Sequence, residues 1–221
     1  MSESSRKLLW LTIFTIAIAY VESAVVVYLR QIYYPDNLQV IFPLRMFSHF
    51  SLAVELFREA ATIIIMLSVA FLIERKNRTR IFAAFIFQFG VWDIFYYVWL
   101  KVTIGWPISW TEWDILFLIP WAWLGPWICP VLISILFVWW SIIVLKSDKI
   151  YVLSKLNLWL FVLGAIFGLI SFLQPTLHYI INNRIQEFQD YMPGKFWWGL
   201  FIPGLLLMAV GLMRSLLKKE G

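Results

Sequence analysis

The sequence predicts an all-α fold, a polytopic bundle of transmembrane helices, and three observations carry that prediction. Of the 221 residues, 62% are hydrophobic and 14% charged, with a mean hydropathy of +0.81, a balance far too apolar for a soluble domain. The apolar residues fall in runs of about 20, the length a helix needs to cross a hydrocarbon core of about 30 Å. The Lys and Arg residues gather between those runs, and unevenly.

Six runs are expected to span, near residues 8 to 29, 48 to 73, 81 to 100, 127 to 145, 156 to 174 and 196 to 213. The first follows Arg6 and Lys7 but continues from Leu8 to Leu29 without a small-residue cleavage site, so it reads as a retained span rather than a signal peptide. The second and third carry charges within their apolar runs. From Trp110 to Leu145 the chain is too long for one span and too short for two, and "LIPWAWLGPWICP" interrupts it with Pro120, Gly125, Pro126 and Pro130. Residues 111 to 119 are therefore expected to form a short helix that dips into the membrane or lies at its interface. The fifth and sixth spans hold no strong charge inside, while Gly164 and Gly168 make a GxxxG step suited to close helix packing, within one chain or between copies. The segments 31 to 47 and 175 to 195 are long enough to cap one end of the bundle. No repeat, low-complexity tract or linker divides the chain, so residues 1 to 221 read as a single integral membrane domain.

Orientation follows from the basic residues. Arg6, Lys7, Arg75, Lys76, Arg78, Arg80, Lys146, Lys149, Lys155, Arg214, Lys218 and Lys219 fall on one side of the six spans, and the smaller set Arg30, Arg45, Lys101, Arg184 and Lys195 on the other. The positive-inside rule then places both termini in the cytoplasm, for a multi-pass protein of the cell inner (cytoplasmic) membrane. Spread over short loops, the net charge of +5 is a topology signal and argues against a nucleic-acid partner. The lipid bilayer is the expected partner, and the apolar faces of the last two spans could also dock on subunits of a membrane complex. The 14 Trp suit interfacial belts and packing. Cys129 is the single cysteine, which excludes an intramolecular disulfide and a Cys-rich metal cluster, and its setting "WICPV" suggests an inert thiol. The sequon Asn77-Arg78-Thr79 falls on the cytoplasmic side and reads as chance.

Acidic residues inside the spans point to a site. At a rise of 1.5 Å per residue, Glu22 lies about 12 Å below the outer end of its span, Glu55 and Glu59 about 10 and 16 Å, and Asp93 about 12 Å. Three helices thus carry acids to one level of the outer leaflet. Glu55, Arg58 and Glu59 stand at i, i+3 and i+4 on one helix face, as do Asp93, Tyr96 and Tyr97. Such charge in low dielectric needs protons, a second cation such as Arg30, water or metal ions. The dipping segment brings Glu112 and Asp114 from the same side; Asp114 is either a further acid of the site or part of an N-terminal cap with Thr111.

Read as ligands, Glu22, Glu55, Glu59 and Asp93, with His49 reaching inward, could hold one metal ion or a di-metal pair, and metal-dependent redox chemistry is one use of such a site. Glu59 is followed by Ala60, Ala61 and Thr62, so the Glu-x-x-His step of carboxylate-bridged di-metal bundles is absent. Haem held by His49 and His178 is the weaker alternative, since nothing places the two across from each other. The same acids would also serve a proton- or ion-coupled transporter, or an ion-pair network that fixes helix packing in a structural or assembly subunit. No catalytic signature appears, so the sequence leaves open whether the protein is an enzyme.

The segments "YVESAVVVYLRQIYYP", "VELFREAATIIIM" and "VWDIFYYVWLKVTIGWP" followed by "WDILFLIPWAWLGPW" resemble a group of uncharacterised bacterial polytopic membrane proteins. Glu22, Glu55, Arg58, Glu59, Asp93 and Asp114 are among the residues that make these segments recognisable. The resemblance implies a six-span membrane fold and transfers no activity.

Overall fold

Most of the helices begin where an apolar run meets a short polar side chain able to hold an early amide, the usual N-cap chemistry. In the computed structural model, which describes residues 2–217 apart from 46, 76 and 183, Ser2 Oγ accepts from the Ser5 amide at 3.2 Å and starts α1, Glu3–Tyr33. Ser48 starts α2, His49–Ile73, in the same way. Asn77 caps α3, Arg78–Ile104, by accepting the Arg80 amide at 3.1 Å, so the sequon asparagine is a helix cap. Gly105, in the left-handed region at φ 72°, closes α3 by donating its amide to Lys101 O. After α4, Ile128–Lys146, Ser154 caps α5, Lys155–Ile181, and α6 runs over Trp198–Leu217. Among the described residues these six helices are long and apolar enough to cross a membrane. The chain is a multi-pass membrane protein built as an all-α bundle. The helices outrun the apolar runs because they include capped polar turns that hydropathy does not see. Lys76, Lys218 and Lys219 of the basic set lie outside the described residues.

Residues 111–119 are not the short helix that the sequence suggested. Trp113–Phe117 forms strand β1, paired antiparallel with β2, Trp123–Pro126, with Asp114 opposite Gly125 and Ile115 opposite Leu124. Two physical reasons favour the hairpin. The stretch before Pro120 is too short for a stable helix, and a proline drives the residue ahead of it toward extended backbone. Non-helical backbone is tolerated at membrane depth where it is buried in protein. That condition is met: Leu124 is fully buried with Leu44, Phe188 and Tyr191, Trp123 stacks on Phe172 with ring planes 9° apart, and Thr176 Oγ1 donates to Ala122 O at 2.5 Å.

Around this hairpin the helices form two groups. α3 is central, packed on α1, α2 and α4, and is the most buried of the six helices, with α2 the least. α5 and α6 form a tight antiparallel pair. The half of the bundle nearest the N terminus is filled by Leu8, Leu11, Ala83, Phe87, Trp140, Val144 and Leu212. Arg80 clamps this end: its guanidinium makes two hydrogen bonds to Glu74, at 3.2 and 3.1 Å, and donates to the carbonyls of Val144, Leu145 and Ser147, the last turn of α4. The other half carries the hairpin, the acids and the cavities.

Candidate functional site

On α2, the i, i+3, i+4 spacing of Glu55, Arg58 and Glu59 does what a helix requires and sets the three side chains on one face. Arg58 lies between two acids. Its Nε donates to Glu55 Oε2 at 2.8 Å and its Nη1 to Glu22 Oε1 on α1. Thr62, one turn deeper, donates to Glu22 Oε2 at 3.4 Å. Glu22 and Glu55 are both buried, so one guanidinium serves two carboxylates at a depth where an unpaired charge is costly.

Glu59 is held differently. Both of its oxygens accept the Leu118 amide, at 3.1 and 3.0 Å, which ties α2 to the end of β1. No cation touches its carboxyl among the described residues. Asp114, placed inward by β1, has two partners: Arg30 Nη2 at 3.5 Å on Oδ1 and the Tyr97 hydroxyl at 3.2 Å on Oδ2. Arg30 is itself 4% exposed, donates to Leu38 O at 3.1 Å, and lies 4.1 Å above the Trp106 ring. Burial pushes the Asp114 carboxyl up to about 6, against the pull of Arg30 in the other direction.

These groups surround a cavity of about 100 Å³ between α1, α2, β1 and the segment after α1. Arg30, Glu55, Arg58, Glu59 and Asp114 supply its charge, and Tyr33, Tyr34, Phe47 and Tyr96 its aromatic wall. Arg45 is exposed at the same cavity, its guanidinium 5.4 Å above the Tyr34 ring. With all groups ionised, four buried acids, counting Glu22, face the buried guanidinium of Arg30 and the half-buried one of Arg58. No family model, curated protein or solved structure matches this chain.

The structure gathers part of the expected set and separates the rest. Glu22, Glu55, Arg58, Glu59, Tyr96 and Asp114 meet at or beside this cavity, and Tyr97 reaches it through Asp114. Asp93 does not line it; its Oδ2 accepts from Ser134 Oγ at 2.9 Å on α4. His49 is the exposed first residue of α2, and His178, also exposed, faces Asn182 Nδ2 at 3.3 Å. Glu112 stays in the turn before β1, accepting the amides of Ile108 and Ser109.

The expected metal set of Glu22, Glu55, Glu59, Asp93 and His49 is accordingly not assembled. Among the described residues no group of three or more His, Cys, Asp or Glu side chains is placed to hold a metal ion. The physical reason is that each acid has its own partner: a guanidinium for Glu22 and Glu55, an amide for Glu59, a hydroxyl for Asp93. Sequence reasoning missed the aromatic wall of Tyr33, Tyr34 and Phe47 and the amide of Leu118. Tyr33 and Tyr34, one turn beyond Arg30, were the available signal.

Proposed function

We propose that the charged cavity binds a cationic group, an organic ammonium in particular, presented from the side of the membrane away from the termini. The observation that supports this most is Glu59, a buried carboxylate whose partner is a backbone amide and which shares a small cavity with four aromatic rings. Carboxylate and ring faces together are the chemistry that recognises ammonium, worth about 0.5 to 2 kcal/mol per cation–ring contact. A metal ion would have to strip Arg58 from Glu22 and Glu55, so redox chemistry on a bound metal is the less favoured use of the same acids.

The test is equilibrium binding of methylammonium to the detergent-purified protein beside elemental analysis of the same sample. Saturable methylammonium binding that weakens about tenfold or more in Glu59→Gln, as expected for a lost charged partner, supports the proposal. Whole-number iron, manganese, zinc or copper that disappears in Glu55→Ala/Glu59→Ala overturns it in favour of a metal site.

A second reading, a proton- or ion-coupled transporter, draws on α2, the least buried helix, held at the site by polar links to Glu22 and Leu118. It requires α2 to move when an acid changes protonation, and it predicts pH-dependent flux in liposomes that Glu59→Gln abolishes. No flux for any cation that binds would remove it. For topology we infer the bacterial inner membrane with both termini in the cytoplasm, on the basic residues at the Arg80 end of the bundle. A cysteine at Lys149 should then resist a membrane-impermeant maleimide in intact cells and one at Lys195 should react; the reverse pattern would invert the topology.

A further inference from the structure

A second cavity lies on the far side of β1. Asp114 and Ile115 of β1 line the charged cavity, whereas Leu116 and Phe117, where the pairing with β2 shifts register between Ile115 and Phe117, line this one, and on α2 Ile63 follows Glu59 by one turn on the same face. Its volume is about 190 Å³, more than the roughly 150 Å³ of an engineered apolar cavity that admits benzene. Its walls are aromatic, from Phe89, Trp92, Phe117, Trp123 and Phe172, with Trp123 and Phe172 nearly parallel. Ile63, Leu116, Phe117 and Ile133 at its edge are partly exposed on helices and a strand at membrane depth, so its entrance faces lipid rather than water.

Three polar features mark this cavity as more than a packing defect. Trp92, 6% exposed, and Trp123 both line it, and the indole N–H of each is buried without an acceptor among the described residues. Buried donors are almost always satisfied, and in a bilayer water cannot serve them, so two orphan indoles in the wall of one void are donors that an acceptor oxygen lodged there would satisfy once the rings turn toward it. The third feature is Asp93, which gives Oδ2 to Ser134 and makes no hydrogen bond through Oδ1 among the described residues. A carboxyl group there is a donor when protonated and an acceptor when ionised.

We propose that this cavity binds an uncharged, ring-bearing, membrane-soluble molecule that carries carbonyl oxygens, the chemistry of a quinone head group. Aromatic walls select a flat ring, the two indole donors select acceptor oxygens, and the lateral entrance selects a ligand already dissolved in lipid. The size of the cavity limits the buried part to about one substituted six-membered ring. Nothing in this binding depends on what occupies the charged cavity.

The test compares two probes of the same shape by equilibrium dialysis against the purified full chain: duroquinone, and durene, which has the same methylated ring without oxygens. Duroquinone should bind saturably at one per chain and about tenfold more tightly than durene, as expected when one or two buried donors find partners. Trp92→Phe keeps a ring and removes a donor, and should cut most of that preference. Leu116→Trp fills the void and should abolish binding in protein that retains its helical circular dichroism; if Leu116→Trp does not fold, Ile133→Phe serves the same purpose. Equal binding of the two probes means an apolar void only and overturns the proposal. No saturable duroquinone binding, or binding that both filling variants leave intact, overturns it as well.

Discussion

Arg58 holds two carboxylates, Glu22 and Glu55, and the consequence of changing it depends on whether its partners change too. Removing one member of a buried charge set strands the others, at a cost of about 3 to 5 kcal/mol, whereas replacing the whole set by apolar groups of similar size can be neutral. Arg58→Met is therefore expected to lower stability by about 3 kcal/mol, and the triple change Glu22→Leu/Glu55→Leu/Arg58→Met to recover most of it, read as thermal midpoints in detergent; a triple variant as unstable as the single one would refute the reading. Asp114 gives a pH test. Its carboxyl is raised by burial from an ordinary 3.8 to about 6, so the folded state holds the proton more tightly than the unfolded chain. Its contribution to stability is complete below pH 3.8 and is lost as pH rises through about 6. The groups facing it are Arg30 from α1, Tyr97 from α3 and Glu112 from its own segment. Melting temperature should fall across that window, and Asp114→Asn should flatten the fall; an unchanged slope would sink this assignment. Glu55, Arg58 and Glu59 were legible in the sequence because charges in an apolar run stand out. The placement of Asp93 was not, because depth along a helix can be counted while rotation about its axis cannot.

At the scale of elements, the hairpin decides where the acids go. The sequence marked its position through Pro120, Gly125, Pro126 and Pro130, yet those breakers say only that a long helix cannot continue. Strand rather than helix follows from the partner strand and from the enclosure that Leu44, Phe172 and Phe188 provide, which are tertiary facts. β1 then forms the wall between two cavities, and the bond from Leu118 N–H to Glu59 fixes its end to α2. Glu59→Ala should accordingly raise amide hydrogen exchange at Leu118 and its neighbours by tenfold or so, the loss of a charge-assisted hydrogen bond, while Leu124, paired inside the sheet, keeps its protection. Equal rates at Leu118 in both proteins would mean that the tie does not hold the hairpin. Arg80 is an instance of what charge counting hides: it was legible as a basic loop residue and not as the group that joins Glu74 to the last turn of α4.

For the whole molecule, six spans and the asymmetry of basic residues were legible because hydropathy and charge are summed over many positions, so no single misjudged residue alters them. How the spans associate is a different matter, since lipid tails solvate a helix face about as well as another helix does, and association rests on close fit. The GxxxG step of α5 was compatible with contact inside the chain or between copies. In the bundle its two glycines differ. A Cβ at Gly164 would run into Gly204 O on α6 and lie 2.7 Å from Met208 N, whereas one at Gly168 would meet nothing within 4 Å. Gly164 is thus the point where α5 and α6 touch backbone to backbone, and Gly168 has room. Gly164→Val should force the pair apart and cost about 2 kcal/mol or more, with a lower thermal midpoint and an unchanged mass by light scattering. Gly168→Ala, which adds only the Cβ that finds open space, should cost far less than Gly164→Ala at the backbone contact. If instead Gly168→Ala lowers the mass of the detergent-solubilised particle, the face around Gly168 joins copies of the chain, and the α5–α6 pair serves assembly as well as the fold.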